Sequence, residues 1–264
     1  MKKVRLDQLV FERGFTESRE RAKTTVMSGL VFVNGQRVDK PGTPVSPEAV
    51  IEVHGEAIPF VSRGGFKLDK ALKVFPINPR GLTCIDCGAS TGGFTDVLLQ
   101  HGAAKVYAVD VGYGQLAWKL RNDPRVVNLE RTNLRYVTAE QIPEKLDLAV
   151  MDVSFISVRL VLPAVKELLK PGADYVCLIK PQFEAGRDEV GKKGVVREAS
   201  VHRAVIETVL DFAKETGWTA MGLDYSPIRG PEGNIEFICH LKNGVFKAPE
   251  LDATAIVEAA HAAF

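Results

Sequence analysis

Residues 86–94 read Asp86-Cys87-Gly88-Ala89-Ser90-Thr91-Gly92-Gly93-Phe94, and they end the apolar stretch that begins at 82. An apolar strand that continues into a glycine-rich turn and then a helical pattern is typical of the first βα unit in a doubly wound sheet. Glycine permits the tight turn and lets a ligand approach the main chain, because it carries no Cβ. These residues therefore predict an α/β fold with a ligand at the turn.

Apolar strands alternate with helical segments around and beyond this turn. This alternation indicates a mostly parallel, seven-stranded sheet that is covered by helices on both faces, a Rossmann-like arrangement. Strands are expected near 82–86, 105–110, 126–129, 146–152, 175–180, 219–225 and 235–241. Helices are expected near 67–74, 93–101, 114–121, 157–169 and 199–216.

The chain before the sheet shows two short helical patterns. Apolar residues at 6–10 indicate a helix that ends at Gly14, which is a typical C-terminal cap. Thr16 is expected to cap a second helix that ends near Gly29. These two helices predict a small unit with its own core.

Strand signals follow the second helix. Residues 30–38 predict a β-hairpin, because apolar residues flank the turn signal Asn34-Gly35. Residues 49–53 are expected to form a closing strand. A small α+β domain at 1–53 is therefore predicted.

Composition and the boundaries between patterned segments complete the predicted domain layout. We expect a linker at 54–62, the sheet domain at 63–245 and a helical tail at 246–264. Hydrophobic residues are 45% of the 264 residues and the formal net charge is +1, which is ordinary for a globular protein. Any nucleic-acid surface must then be a local basic patch.

The N-terminal residues carry charge at once, and no apolar run approaches the roughly 18 residues that span a bilayer. We therefore expect a cytoplasmic protein without a membrane partner.

Cys84 and Cys87 form a C-x-x-C pair, which can indicate metal or redox chemistry. However, Cys84 falls within a predicted buried strand, and neither a second C-x-x-C nor a paired His follows. We expect these cysteines to be core residues, and we predict no metal site.

The spacing of the glycines bears on the cofactor. A dinucleotide site would show G-x-G-x-x-G, whereas this turn has Gly88 followed by Gly92-Gly93. Asp110, at the end of the second strand, is in the position where a carboxylate accepts hydrogen bonds from ribose hydroxyls. A nucleoside-containing cofactor other than a dinucleotide is indicated.

Charged residues end two neighbouring strands of the predicted sheet. Asp152 ends one and Lys180 ends the other. The carboxyl ends of parallel strands meet at the edge where such sheets bind ligands. If the last strand is antiparallel, Glu236 begins it at the same edge, and Lys67 lies on the helix before the first strand. Four ionisable side chains are thus expected to meet.

The D-x-G-x-S-x-G-G-F pattern resembles motif I of S-adenosylmethionine-dependent methyltransferases, in particular the FtsJ-like RNA 2′-O-methyltransferases. The resemblance implies S-adenosylmethionine as cofactor. It implies that the following residues bind it: Asp86, Gly88, Ser90, Gly92, Gly93, Phe94, Asp110, Asn133 and Asp152.

Lys67, Asp152, Lys180 and Glu236 match, in order, the K-D-K-E catalytic tetrad of the same enzymes. By that resemblance Lys180 is the base, Lys67 and Asp152 position it and the hydroxyl, and Glu236 orients Lys67 or the ribose. A lysine can act as base only if its pKa falls, which burial and a second ammonium both favour.

The N-terminal residues resemble the S4 RNA-binding domain, in Arg5-Leu6-Asp7, Ser18-Arg19-Glu20-Arg21-Ala22, Gly29-Leu30-Val31 and Val33-Asn34-Gly35. An S4 domain fused to an FtsJ-like methyltransferase is similar to the TlyA or haemolysin-A family. The resemblance implies ribose 2′-O-methylation of ribosomal RNA, with cytidine as the target, and ribosomal RNA or ribosomal subunits as partners.

Basic residues are the candidates for RNA contact. The glycine-rich segment at 182–198 follows the fifth strand, is expected to be mobile, and is a candidate lid that grips phosphates. The RNA-contact candidates are Arg5, Arg19, Lys23, Arg63, Arg187, Lys192 and Lys193.

Two other functions remain open on the sequence. The haemolysin name suggests a membrane-lytic protein, although no basic amphipathic helix of the membrane-binding kind is evident. A non-catalytic RNA-binding or ribosome-assembly factor would keep the fold and bind cofactor without transferring a methyl group.

Overall fold

The computed structural model describes residues 3–54 and 58–264. The chain divides into two compact units, Met1–Gly65 and Phe66–Phe264. In the described ranges, no helix is long and apolar enough to cross a membrane.

The first unit is a small α+β domain with two helices and two short antiparallel sheets, ordered β1-β4 and β3-β2-β5. Its elements are β1 (Val4–Arg5), α1 (Leu6–Glu12), α2 (Arg19–Met27), β2 (Val31–Val33), β3 (Gln36–Arg37), β4 (Pro44–Val45) and β5 (Ile51–Val53). Its core is formed by apolar residues of both helices and the strands, among them Leu6, Val10 and Val26. The predicted turn at Asn34-Gly35 is confirmed, since both residues have positive φ.

Two details of this unit differ from the sequence prediction. Ser18, not Thr16, caps α2, because its hydroxyl accepts a hydrogen bond from the Arg21 amide at 3.1 Å. The Thr16 hydroxyl instead donates to the Ser18 carbonyl at 3.0 Å. Strands β1 and β4 have only two residues each, too few for an alternating pattern to reveal them.

The second unit is a seven-stranded sheet with helices. Its elements are α3 (Gly65–Val74), β6 (Thr83–Cys87), α4 (Gly93–Gln100), β7 (Lys105–Val109), α5 (Trp118–Arg121), β8 (Val126–Leu129), β9 (Leu146–Met151), α6 (Leu162–Leu168), β10 (Leu169–Ile179), α7 (Pro181–Glu184), α8 (Ala199–Glu215), β11 (Trp218–Tyr225), β12 (Phe237–Asn243) and α9 (Ala253–Ala263).

The strand order is β11-β12-β10-β9-β6-β7-β8. Strand β12 runs antiparallel to both neighbours, and the other pairings are parallel. From β6 the chain proceeds outward through β7 to β8, whereas on the other side β9 and β10 are followed by β11 at the edge and by β12 between β10 and β11. The carboxyl ends of β6 and β9 therefore flank the crevice where doubly wound sheets bind ligands. The predicted fold class is confirmed.

Three element boundaries were predicted wrongly. Helix α6 begins at Leu162 rather than 157, because a separate 3₁₀ turn occupies Val158–Leu160. Helix α5 has four residues, since the chain at 110–117 folds as a loop against the glycine-rich turn. Strand β10 begins at Leu169 rather than 175 and contains a register shift before Asp174. Pro171 and Gly172 in that stretch indicate a turn, and this hid the strand.

Cys84 and Cys87 are both buried in β6. Burial, with a smaller contribution from the Asp147 charge, raises the pKa of the Cys84 thiol to about 12. Burial also raises the pKa of Cys87 well above its usual value. Neither thiol is a reactive thiolate at neutral pH.

Candidate active site

The four predicted catalytic side chains meet in one buried cluster, which we call the tetrad. Lys67 Nζ lies 2.6 Å from Glu236 Oε2 and 3.1 Å from Asp152 Oδ2. Lys180 Nζ lies 2.6 Å from Asp152 Oδ1. The Glu236 side chain is fully buried, and each lysine side chain is only 7% exposed.

The sheet explains this convergence. Asp152 directly follows β9 and Lys180 directly follows β10, and these strands are parallel neighbours. Because β12 is antiparallel, Phe237 pairs with Ile179, and Glu236 enters at the edge where β10 ends. Helix α3 brings Lys67 to the same edge.

Lys67 is held as an ammonium. Burial lowers its pKa, but the charges of Asp152 and Glu236 and hydrogen bonds to both outweigh burial, so that the pKa lies above its usual value. Lys67 is therefore suited to positioning rather than to removing a proton.

Asp152 is held as a carboxylate between the two lysines. Burial raises its pKa, but the charges of Lys67 and Lys180 and hydrogen bonds from both hold it below the usual range. Its side chain is 19% exposed, more than the other three. Asp152 is thus the most accessible member of the tetrad.

Lys180 pairs with one carboxylate, whereas Lys67 pairs with two. Besides its ion pair with Asp152, Lys180 donates a hydrogen bond to Ser154 Oγ at 3.0 Å. As a neutral amine, Lys180 would have two N–H bonds for these two partners and a lone pair free to accept a proton from a substrate. Ser154 was missed by the sequence analysis, because a lone serine after a strand carries no signal of its own.

A cavity of about 470 Å³ lies beside the tetrad at the switch point of the sheet, with Asp152 in its wall. This volume is in the range of cofactor sites. Other residues of its wall are Gly88, Ser90, Val109, Asp110, Gln115, Thr132, Asn133, Val153, Ser154 and Phe155.

The glycine-rich turn forms part of the cavity wall and packs closely against the main chain of Asp152. Gly88 has a φ of +82°, and a Cβ there would lie 3.0 Å from the Asp152 carbonyl oxygen. Ser90 has a φ of +48°, and its amide donates to Asp110 Oδ2 at 2.7 Å. The other oxygen of Asp110 accepts from the Gly112 amide at 2.7 Å. Since a carboxylate has about four acceptor positions, Asp110 can still accept hydrogen bonds from a ribose.

Not all predicted cofactor residues line the cavity. Asn133 does, and its side-chain oxygen also accepts from the Arg135 amide at 3.1 Å. Gly92, Gly93 and Phe94 are buried at the start of α4, outside the described cavity wall. They shape the turn without facing the cavity.

Asp86 is likewise buried behind the turn. Its Oδ2 accepts from the Thr95 amide at 2.9 Å and from the Thr95 hydroxyl at 2.7 Å, which fixes the start of α4. Burial, together with the charges of Asp152 and Asp110, outweighs these hydrogen bonds and raises its pKa to about 7. Its direct contact with a cofactor is not supported by this placement.

Asp86→Asn is expected to remove a pH dependence of stability. The pKa of Asp86 is about 7 in the fold and 3.8 in a model peptide, so the folded state binds the proton more tightly. Its stabilisation is therefore complete below about pH 4 and is lost as the pH rises through 7. The Tm of the variant minus that of wild type, measured by differential scanning fluorimetry, should be several degrees more positive at pH 8 than at pH 5. A difference in Tm that does not vary with pH would contradict this.

The predicted RNA contacts are dispersed. In the first unit, Arg5 pairs with Asp7 at 2.9 Å and Arg19 lies 3.7 Å from the same carboxylate, while both remain about half exposed. Lys23 is exposed and Arg63 is half-buried. In the second unit, the three candidates are exposed and belong to one segment; they are Arg187, Lys192 and Lys193.

That segment, 187–196, lies within the candidate lid at 182–198 and has defined structure. It contains a short 3₁₀ helix at Arg187–Glu189, followed by a turn in which the Gly191 amide donates to the Val195 carbonyl at 3.1 Å. Gly194 takes a φ of +73° in this turn. This conformation favours glycine at 194.

Phe155 is a further feature that the sequence did not reveal. Its ring is 91% exposed, lies in the cavity wall and packs against Phe183 at 5.2 Å between centroids. Its φ of +65° is uncommon for a residue with a side chain. Such strain is found most often at functional sites.

A ligand cavity that shares Asp152 with two buried lysines is suited to group transfer onto an oxygen that must lose its proton. Residues 60–243 match the FtsJ-like methyltransferase family, and residues 4–51 match the S4 domain. The larger unit thus defines an FtsJ-like methyltransferase.

Similar proteins narrow the family assignment further. The candidate rRNA methyltransferase YqxC of Bacillus subtilis is 50% identical, over 98% of this chain and 95% of its own. The 16S/23S rRNA (cytidine-2′-O)-methyltransferase TlyA of Mycobacterium tuberculosis is 45% identical, over 99% and 97%. A solved structure of a candidate hemolysin from Streptococcus thermophilus is 48% identical with a TM-score of 0.79, over 100% and 97%. The chain belongs to the TlyA/hemolysin A family.

Proposed function

We propose that this chain transfers a methyl group from S-adenosylmethionine to a ribose 2′-hydroxyl of ribosomal RNA, with cytidine as the target nucleoside. The observation that carries the proposal is the position of Asp152, which lines the cavity and also pairs with both lysines. A cofactor in the cavity and an acceptor at Lys180 would therefore be neighbours. Because its proposed substrate belongs to ribosomes, we expect the reaction to take place in the cytoplasm.

The cavity fits the proposed cofactor. Asp110 can accept from its ribose hydroxyls, and Gly88 lines the cavity with main chain alone. Asn133 lies in the same wall. S-adenosylmethionine, when bound, supplies the electrophilic methyl carbon.

The tetrad supplies what the acceptor hydroxyl needs. A hydroxyl is a poor nucleophile until its proton is removed, and it must be held in line with the methyl group. Lys180 Nζ is the position at which the proton would be accepted. Asp152 orients Lys180, and Lys67 holds Asp152 from the other side.

Two features support RNA as the substrate. The S4 domain supplies a separate unit with exposed basic residues such as Arg19 and Lys23. The exposed ring of Phe155 at the cavity offers a stacking surface for an unpaired nucleobase. A nucleotide taken out of its stack could thus reach the tetrad.

The test is transfer of tritiated methyl from S-adenosylmethionine to purified ribosomal subunits and to the RNA extracted from them. We expect label on ribose that resists alkaline hydrolysis. Cofactor binding measured by calorimetry without transfer to either substrate would overturn the proposal and favour the assembly factor. Leakage of dye from liposomes, with no transfer, would favour the membrane-lytic protein.

A further inference from the structure

Glu236 is held by contacts with Lys67 and Gly230. Its Oε2 pairs with Lys67, but Oε1 is buried without a hydrogen-bond partner in the described part of the chain. Gly230 lies directly against that oxygen, since a Cβ on Gly230 would be 2.6 Å from it. Because Glu236 is fully buried, its carboxylate orients Lys67 and does not reach a ribose.

Gly230 belongs to a loop, 226–234, that closes on itself beside Glu236. The Ser226 amide donates to the Glu236 carbonyl at 2.8 Å, and the Gly230 amide donates to the Asn234 carbonyl at 2.9 Å. The Gly233 amide donates to the Gly230 carbonyl at 3.0 Å. The position of Gly230 against the carboxylate therefore depends on how this loop is anchored.

Asn234 anchors the loop. It is only 1% exposed, its Oδ1 accepts from the Val196 amide at 3.0 Å, and its Nδ2 donates to the Gly194 carbonyl at 2.8 Å. Both polar groups of this side chain thus bind the turn of the 187–196 segment. That turn carries the exposed Lys192 and Lys193.

Helix α9 supports the same structure from the other side. The Val196 carbonyl is hydrogen-bonded to His202 Nε2 at 3.2 Å, and His202 Nδ1 is hydrogen-bonded to His261 Nε2 at 2.9 Å. Burial, followed by the nearby His261, lowers the pKa of His202 to about 4, so this contact is made by a neutral imidazole. Arg229 also donates to the Phe264 carbonyl and lies 5.1 Å from its ring centroid.

We propose that Asn234 is a positioning residue for methyl transfer. It fixes Gly230 against Glu236, so that Glu236 holds Lys67 in contact with Asp152. Helix α9 supports the turn that Asn234 binds, through His202. The inference rests on the proposed function. It adds a residue outside the tetrad and gives a role to the C-terminal helix.

The decisive experiment is a double-mutant cycle of Asn234→Ala and Glu236→Gln, in single-turnover methyl transfer to ribosomal subunits at saturating S-adenosylmethionine. Since a displacement of about 1 Å can cost roughly 100-fold in rate, we expect Asn234→Ala to slow transfer by at least about tenfold. Cofactor affinity, measured by calorimetry, should be unchanged, because Asn234 is not in the cavity wall. In the Glu236→Gln background, Asn234→Ala should have little further effect.

Two outcomes would overturn the inference. Effects on rate that multiply fully in the double variant would show that Asn234 does not act through Glu236. A lower Tm with an unchanged rate would show a purely structural role. Failure of the proposed function is distinguishable from both, because the wild-type protein would then transfer no methyl group.

Helix α9 offers a second, milder test should Asn234→Ala fold poorly. His261→Ala removes the contact to His202, while Glu258→Ala changes an exposed residue of the same helix. We expect the first to slow transfer severalfold at unchanged cofactor affinity and the second to leave the rate at the wild-type value. Equal rates for both variants would exclude the support from α9.

Discussion

Lys180→Ala is expected to slow methyl transfer by about 100- to 10,000-fold, the range associated with loss of a general base. Lys180 is the tetrad lysine that pairs with a single carboxylate, and Asp152 and Ser154 fix its Nζ, which as a neutral amine would accept the proton of the hydroxyl. Cofactor affinity should change little, because Lys180 is not in the described cavity wall. Rate and affinity are measured by single-turnover transfer to ribosomal subunits and by calorimetry.

Lys180→Arg separates proton removal from charge. Arginine keeps the positive charge and can still pair with Asp152, but it does not lose its proton in proteins. If Lys180 is the base, the arginine variant should be nearly as slow as the alanine variant. An arginine variant close to wild type would mean that this position contributes charge alone.

The convergence of the tetrad could be predicted because it follows from strand direction. Asp152 and Lys180 end neighbouring parallel strands, and the supposition that the last strand is antiparallel is confirmed by the pairing of Phe237 with Ile179. What the strand pattern could not show is how the charges pair. Only the structure distinguishes Lys67, with two carboxylates, from Lys180, with one.

Residues whose role depends on distant contacts escaped the sequence. Asn234 follows a glycine in a loop, where asparagine ordinarily indicates only a turn. Its partners in the 187–196 segment are separated from it by about forty residues, so no local pattern joins them. The tail containing α9 was assigned no function for the same reason, since its contact with His202 spans 59 residues.

Lys67→Met should destabilise the sheet unit by about 3–5 kcal/mol, the usual cost of removing one partner of a buried ion pair. Asp152 would keep Lys180 as its partner, whereas Glu236 would be left fully buried without a described cation. Lys73→Met on the same helix is the matched control. The Lys73 side chain is 70% exposed and pairs with Asp69 at the surface, so the free energy of unfolding should change by less than about 1 kcal/mol.

The origin of the cost can be isolated by adding Glu236→Gln to Lys67→Met. The amide removes the unpaired charge from the interior while keeping nearly the same shape. If the buried anion causes the loss of stability, the double variant should therefore recover part of it. Urea unfolding followed by tryptophan fluorescence reports on this unit, since Trp118 and Trp218 both lie within it. Methyl transfer should not recover, because Lys67 would still be absent beside Asp152. A double variant no more stable than Lys67→Met would instead assign the cost to lost packing around α3 rather than to the unpaired charge of Glu236.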